Sequence, residues 1–352
     1  MPQVKATAYE PVVLVDTKDL PETEWLEWRR KGIGGSDAAA ILGISPFRTA
    51  RDLYYDKLGV VAVVDDDSNW VAMKMGHLLE DLVAEIFAHR TGFRIYQIKK
   101  MFRHPLHPYM LADVDYFVEL PGGRTAILEI KTTNYNATGN WWRDGQEVVP
   151  PYYESQGRHY MAVMNVDECY FCCLYGNNEE ETIIRHITRD MAYEEELVAL
   201  ESYFWNDYVL TRVPPPYTEN GDLIVASSKR YTKLGDPADP IVELSGSLSA
   251  QIARYLALQK QKKTAEGGVK ELEEEIKRQR ALIVAAMGPT CAARCEVKGV
   301  GYMVTSNPVR KKEITKANLL RLEMQMPEVY EAYVTTSEYR KLVVKEIKES
   351  AA

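Results

Sequence analysis

The chain has 352 residues, which at roughly 150 residues per domain suggests about two domains, and its 46% hydrophobic and 27% charged residues are those of an ordinary globular protein. Disordered, collagen-like and disulfide-scaffold classes are excluded, and so is a membrane-spanning helix, because no apolar run reaches 18 residues. The balance of 43 basic against 51 acidic residues, a net charge of −8, argues against a protein that coats nucleic acid through bulk positive charge. The N-terminal stretch lacks the charged start and apolar run of a signal peptide. Five cysteines, none before Cys169, fit a reducing cytoplasm better than a disulfide framework.

Residues 1–215 read as one mixed α/β unit. Ser36 is a plausible N-cap for a short Ala-rich helix ending at Gly43, and Thr49 with Asp52 starts a second that ends at Gly59. From Trp70 to Gly92 the residues Met75, Leu79, Leu82, Val83 and Ile86 follow helical spacing. Strands are predicted at 111–118 and 125–132, joined by Pro121-Gly122-Gly123. A helix holds Tyr153 to Met161, strands follow at 167–175 and 182–188, and a helix from Tyr193 to Tyr208 closes the unit. Residues 216–247, rich in Gly, Pro, Asp and Ser, read as a linker. Segment 248–290, with Ile252, Tyr255, Val269, Leu272, Ile276 and Ile283 at heptad-like spacing, predicts a long amphipathic, coiled-coil-like helix or a helical hairpin broken at Gly267-Gly268. Residues 291–352 read as a small α+β tail.

The chemical signal lies in LADVDYFVELPGGRTAILEIKTT. Alternation puts Leu111, Asp113, Asp115 and Phe117 on one strand face, and Ile127, Glu129 and Lys131 on one face of the next. A hairpin centred on Gly122 sets Asp115 opposite Glu129 and Asp113 opposite Lys131. Facing carboxylates destabilise a sheet, and a divalent cation between them removes that penalty. Oxygen ligands favour Mg²⁺ or Mn²⁺ over zinc. Lys131, roughly 7 Å along the strand from Glu129, is placed to orient or deprotonate a water. The alternative is a solvated face of an edge hairpin, since a slip of one residue separates the two faces.

Three further features bear on this choice. Glu80 has Gly76 and Ala84 one turn away on either side, a bare helix face open either to a ligand or to another helix. Gln156 and Tyr160, one turn apart, face either the same cleft or the core. Arg29, Arg30 and Lys31 precede a glycine-rich turn and a helix start at Ser36, an arrangement suited to phosphate and equally to a solvated charge run.

Taken in order, WLEWRRKGIGGSDAAAILG, MGHLLED, LADVDYF, LEIKTT and YYESQGRHYMAV resemble the lambda-exonuclease-like, YqaJ-type phage recombination nucleases of the PD-(D/E)xK superfamily over residues 20–210. The resemblance implies an α/β (α+β) restriction-endonuclease-like core, a mixed central sheet flanked by helices. It implies a metal-dependent exonuclease that degrades one strand of duplex DNA from an end, 5′ to 3′, in a bacterial host cell. Asp115 and Glu129 are then the metal ligands, Glu80 supports the metal site, Lys131 is the catalytic lysine, and Gln156 points into the site. Ser36 with either Arg29 or Arg30 binds a terminal 5′-phosphate. Val114 stands where the family has proline and Asp113 adds a carboxylate, so which aspartate leads stays open, as does one metal ion against two. A structure-selective endonuclease on the same fold, or an end-binding scaffold with a decayed site, are the competing readings.

Cys169, Cys172 and Cys173 fall in one strand with alternating faces and suit a core, while Cys291 and Cys295 lack partners for zinc. Trp141 and Trp142 are candidates to stack on or wedge between bases, or to cover the core. The 248–290 helix is a candidate for homo-oligomerisation, for gripping DNA, or for docking a single-strand annealing protein. The charge inference narrows accordingly: DNA affinity is expected from a local patch, Arg29 to Lys31 with Lys99, Lys100 and Arg103, together with bound cations.

Overall fold

This computed structural model describes residues 9–63, 70–231, 249–287, 292–297, 300–305 and 314–335. The chain divides into Met1–Leu234 and Gly235–Ala352. The first unit runs β1 (Val12–Asp16), α1 (Glu22–Arg30), β2 (Ile33–Gly34), α2 (Gly35–Ile41), α3 (Ala50–Lys57), α4 (Trp70–Thr91), β3 (Arg94–Tyr96), β4 (Lys100–Arg103) and β5 (Met110–Ala112). It continues with β6 (Tyr116–Leu120), β7 (Arg124–Thr132), a 3-10 segment (Tyr135–Trp141), β8 (Trp142–Arg143), β9 (Gln146–Glu147) and α5 (Pro151–Met164). It ends with β10 (Glu168–Leu174), β11 (Thr182–Thr188), α6 (Met191–Tyr203), a π-helical turn (Phe204–Val209) and α7 (Gly221–Tyr231).

A five-stranded mixed sheet, ordered β11-β10-β7-β6-β3, carries the architecture. Gly122 and Gly123 both take positive φ, which lets β6 turn straight back into β7. Tyr116 pairs with Leu128 and Leu120 with Arg124, the register expected from a turn centred on Gly122. β10 lies parallel to β7, with α5 as the crossover between them. Strand alternation then sorts the side chains. Phe117, Ile127, Phe171 and Cys169 face a core completed by Tyr160 to Met164 of α5, whereas Val118, Leu128 and Cys172 face Val83, Ala84 and Phe87 of α4. A second sheet, ordered β1-β4-β5-β2, adjoins α5 through β5.

Several expectations are corrected. The strand foreseen over 111–118 is two strands in different sheets, and Asp113, Val114 and Asp115 form the passage between them. The ladder therefore begins at Tyr116, and Asp113 never sits opposite Lys131. The cap of α2 is Gly34 rather than Ser36, because the Asp37 carboxylate accepts the Gly34 N–H at 2.9 Å. Thr49 and Asp52 do form a reciprocal capping box on α3. Within the segment read as a linker, α7 is a helix held to α3, with Ser227 bonded to Thr49 at 3.2 Å and Arg230 within 3.3 Å of Asp52.

Gly35 opens α2 where it crosses α5. A Cβ there would meet Tyr160 Cε1 at 2.6 Å and Gln156 Cγ at 3.0 Å, so no other residue lets the two helices approach this closely.

In the second unit, α8 (Ser249–Met287) is one unbroken helix of 39 residues, not a hairpin. Gly267-Gly268 costs about 1 kcal/mol per glycine, but the helix continues through it among good helix formers and the Lys262–Glu266 pair at i, i+4. The strands β12 (Ala292–Val297) and β13 (Val300–Thr305) pair antiparallel, followed by α9 (Lys316–Gln325) and α10 (Pro327–Tyr333). Cys291 lies outside the described residues. Among the described residues no helix is long and apolar enough to cross a membrane.

Candidate active site

The break between β5 and β6 creates the site. Freed from the ladder, Asp115 turns its carboxylate onto the backbone and accepts the Ile130 N–H at 2.9 Å. Glu129 and Lys131 alternate onto the α5 face of β7, where Lys131 Nζ donates to Glu129 Oε2 at 2.8 Å. Gln156 of α5 donates to the same oxygen at 2.6 Å. Glu129 Oε1 is buried with no hydrogen-bond partner. Glu80 comes from the opposite helical layer, and a cleft of about 360 Å³ is lined by Glu80, Asp115, Gln156, Tyr160, Arg29 and Ser36.

The electrostatics are those of crowded carboxylates. Burial and the neighbouring Asp115 push Glu129 up to about 8, although Lys131 pulls it down. Burial, with Asp115 and Asp81 nearby, raises Glu80 to about 7. Burial also raises Asp115. Lys131 is desolvated, but Glu129 and Asp115 hold it protonated above its ordinary value. An orphaned buried carboxylate oxygen and three acidic groups short of positive charge fit a divalent cation with oxygen ligands. Among the described residues no three acidic, histidine or cysteine side chains already converge into a preformed cage; Glu129 is paired with Lys131 instead.

The extra aspartate has a different partner. Asp113 accepts the Trp25 indole N–H at 2.6 Å, which takes it away from Glu129 and leaves Asp115 beside Glu129 and Lys131.

The arginines separate as well. Arg29 donates to Ser36 Oγ and, at 3.0 Å, to Asp37, whereas Arg30 turns to Asp56 at 3.5 Å. Of the two arginines left open by sequence, Arg29 is the one that meets Ser36. Asp37 is fully buried and also receives Arg48 and, at 2.7 Å, Lys57. Burial opposes its ionisation, but Lys57, Arg29 and Arg48 hold it well below the usual carboxylate range. Arg29, Arg48 and Lys57 around Asp37, with Arg30 facing Asp56, leave positive charge in excess beside a cavity of about 430 Å³ that Asp56 also lines and that shares Trp25, Arg29 and Ser36 with the first cleft. Sequence reasoning missed Asp37, Arg48 and Lys57; the only local signal was Asp37 next to Ser36.

Trp141 is 1% exposed and belongs to the core, so it is no DNA contact. Trp142 is 41% exposed on the β8–β9 hairpin, with the Arg185 guanidinium 4.9 Å from its ring. Lys99 lines the carboxylate cleft. Cys169, Cys172 and Cys173 are buried free thiols, split between the two faces of the sheet.

One buried pair anchors these parts. His159 Nδ1 lies 2.7 Å from Glu201 Oε1, and its Nε2 donates to the Leu111 carbonyl at 2.9 Å, joining α5 and α6 to the strand that leads into Asp113. With the Glu201 carboxylate at one nitrogen and a carbonyl at the other, the surroundings favour the imidazolium, although burial raises Glu201 as well. Burial lowers it, but Glu201 and the carbonyl hold it above its ordinary 6.5. A raised folded pKa gives stability that is fully present below the unfolded value and is lost as pH rises through the folded one. The stability gap between the parent and His159→Gln, measured by urea unfolding, is therefore expected to be largest near about pH 6 and to narrow at alkaline pH. A gap that widens with pH would contradict the imidazolium.

Residues 24–167 match the family model described as YqaJ-like viral recombinase domain. The protein YqaJ of Bacillus subtilis (strain 168) is 32% identical over 345 residues, covering 97% of this chain and 99% of that one. An alkaline exonuclease from Laribacter hongkongensis, LHK-Exo, is 19% identical with a TM-score of 0.43 over 54% of this chain and 94% of its own. A phage related exonuclease from Haemophilus somnus 129PT is 12% identical with a TM-score of 0.40 over 51% of this chain and 96% of its own.

Proposed function

The chain belongs to the YqaJ-like viral recombinase family, and from that premise we propose that it is a metal-dependent deoxyribonuclease that hydrolyses one strand of double-stranded DNA from a 5′-phosphorylated end. The observation that carries the reading is the single cleft in which Glu80, Asp115 and Gln156 meet the Arg29–Ser36 pair. Asp115, Glu129 and Glu80 would hold Mg²⁺ or Mn²⁺, which when bound supplies charge neutralisation at the scissile phosphate and a more acidic water. Lys131 orients the attacking water and offsets charge building on the phosphorus oxygens. Gln156, donating to Glu129 Oε2, fixes that carboxylate so that Oε1 is the oxygen left to act. Arg29 and Ser36 hold the terminal phosphate, with Arg48 adding charge from the same cavity. Strand removal of this kind leaves single-stranded DNA for an annealing protein, and a homo-oligomer is the expected assembly.

Digestion of linear 5′-phosphorylated, linear 5′-hydroxyl and covalently closed circular duplexes of one sequence, in Mg²⁺, Mn²⁺ or EDTA, tests this. Phosphorylated linear DNA is expected to be consumed in Mg²⁺, circles to survive, and EDTA to stop the reaction. Arg29→Ala is expected to shrink the preference for the phosphorylated end by about 10- to 100-fold, the worth of a charged hydrogen bond. Cutting of circles would favour the endonuclease reading. Binding without cleavage under any metal would favour the decayed scaffold.

A further inference from the structure

The cavity beside Arg29 is larger than a phosphate group needs. At about 430 Å³ it falls in the range of pockets that hold whole small ligands. Its polar side is Arg29, Arg30, Arg48 and Ser36, with one carboxylate, Asp56, paired to Arg30, and its rim is Phe47, which is 64% exposed.

A single exposed apolar residue is ordinary, but this one is held in place on both flanks. Ser45 Oγ accepts the backbone N–H groups of Phe47 and Arg48 at 3.2 and 3.3 Å, and Arg48 is tied to the buried Asp37. The Phe47 ring meets Tyr152 edge-on, with centroids 5.8 Å apart and planes at 86°. Tyr152 meets Tyr153 at 4.5 Å, and the Tyr153 ring lies 5.4 Å from Lys131 Nζ. A line of aromatic rings thus runs from the anion cavity to the lysine beside Glu129. Cationic groups at one end and a rigidly mounted, solvent-facing ring at the other match the two parts of a nucleotide, its phosphate and its base.

We propose that Phe47, backed by Tyr152, is a stacking platform for the base of the terminal nucleotide whose 5′-phosphate sits against Arg29 and Ser36. The inference rests on the nuclease reading above and adds a second element to end recognition: the protein senses a base as well as a phosphate, and takes up most readily an end whose last base is unpaired. Aromatic stacking tolerates every base, so the platform confers no sequence preference.

The test compares two linear duplexes with the same 5′-phosphate, one with an ordinary terminal nucleotide and one with an abasic terminal nucleotide, digested in Mg²⁺ by the full chain. The parent is expected to show a kcat/KM roughly tenfold or more lower on the abasic end, mainly through KM. Phe47→Ala is expected to bring that ratio close to one, and Phe47→Trp to preserve it. Because Phe47 is solvent-facing, both variants are expected to melt like the parent. A ratio that survives in Phe47→Ala, or a parent that digests both ends equally, overturns the platform and leaves the nuclease reading intact. A parent that digests neither end overturns the nuclease reading, and the platform with it.

Discussion

Lys131→Ala and Glu129→Gln are each expected to reduce digestion of 5′-phosphorylated duplex by at least about 10³-fold while the protein melts within a few degrees of the parent. Glu129 is a fully buried carboxylate with one oxygen unpartnered, which folding alone would not favour. Replacing it by the isosteric amide removes a costly charge and keeps a side chain able to bond to Gln156, so stability is largely retained. Lys131 keeps only 13% of its side-chain surface exposed, but once it is removed Glu129, already pushed up to about 8, takes up a proton rather than standing as an unpaired buried charge. What both variants lose is the charge balance of the cleft. On the proposed mechanism, a cation would lack an anionic ligand without Glu129, and the developing phosphate charge would be less well offset without Lys131. Digestion rate and calorimetric melting, measured on the same preparations, separate the two effects. Wild-type digestion by either variant would remove the site from the mechanism.

Asp37→Asn is expected to act the opposite way, on stability first, by about 3–5 kcal/mol, which for a unit of this size is on the order of 10 °C in melting temperature. The substitution leaves Arg29, Arg48 and Lys57 without their shared anion, and Lys57 has no exposed side-chain surface on which to rehydrate. The folded-state pKa of Asp37 lies well below 3.8, so its contribution is fully present above that ordinary value and is lost as pH falls through the folded one. The gap between parent and variant should stay constant from neutral pH down to about 4 and close only in stronger acid, in contrast to the His159 pair. A gap that already closes near neutrality would show that Asp37 is not held ionised by its neighbours.

The hairpin was the most legible part of the molecule because its information is local. Pro121-Gly122-Gly123 fixes the turn, the turn fixes the register, and alternation then puts Glu129 and Lys131 on one face. Thr49 and Asp52, three residues apart, announced α3 for the same reason. The parts that were missed depend on distant partners. The strand break at Asp113 reflects a change of sheet and a bond to Trp25, 88 residues away. Arg48 and Lys57 look like ordinary surface charges until α2 and α3 fold together around Asp37. Helix α7 hides in a linker-like composition because what holds it, Thr49 and Asp52, lies some 178 residues earlier.

The contact at Gly35 carries a mechanical consequence. One neighbour of that glycine along the chain is Ser36, beside the anion cavity, and the groups it touches across the helix crossing are Tyr160 and Gln156, beside Glu129. With no side chain on Gly35, the α2 backbone rests directly on the Tyr160 ring and the Gln156 stem of α5, which fixes the spacing between the Arg29–Ser36 pair and the carboxylates around Glu129. On the nuclease reading proposed above, the span between the phosphate grip and the carboxylates is a length set at one helix crossing, and a single methyl group at position 35 would be enough to change it.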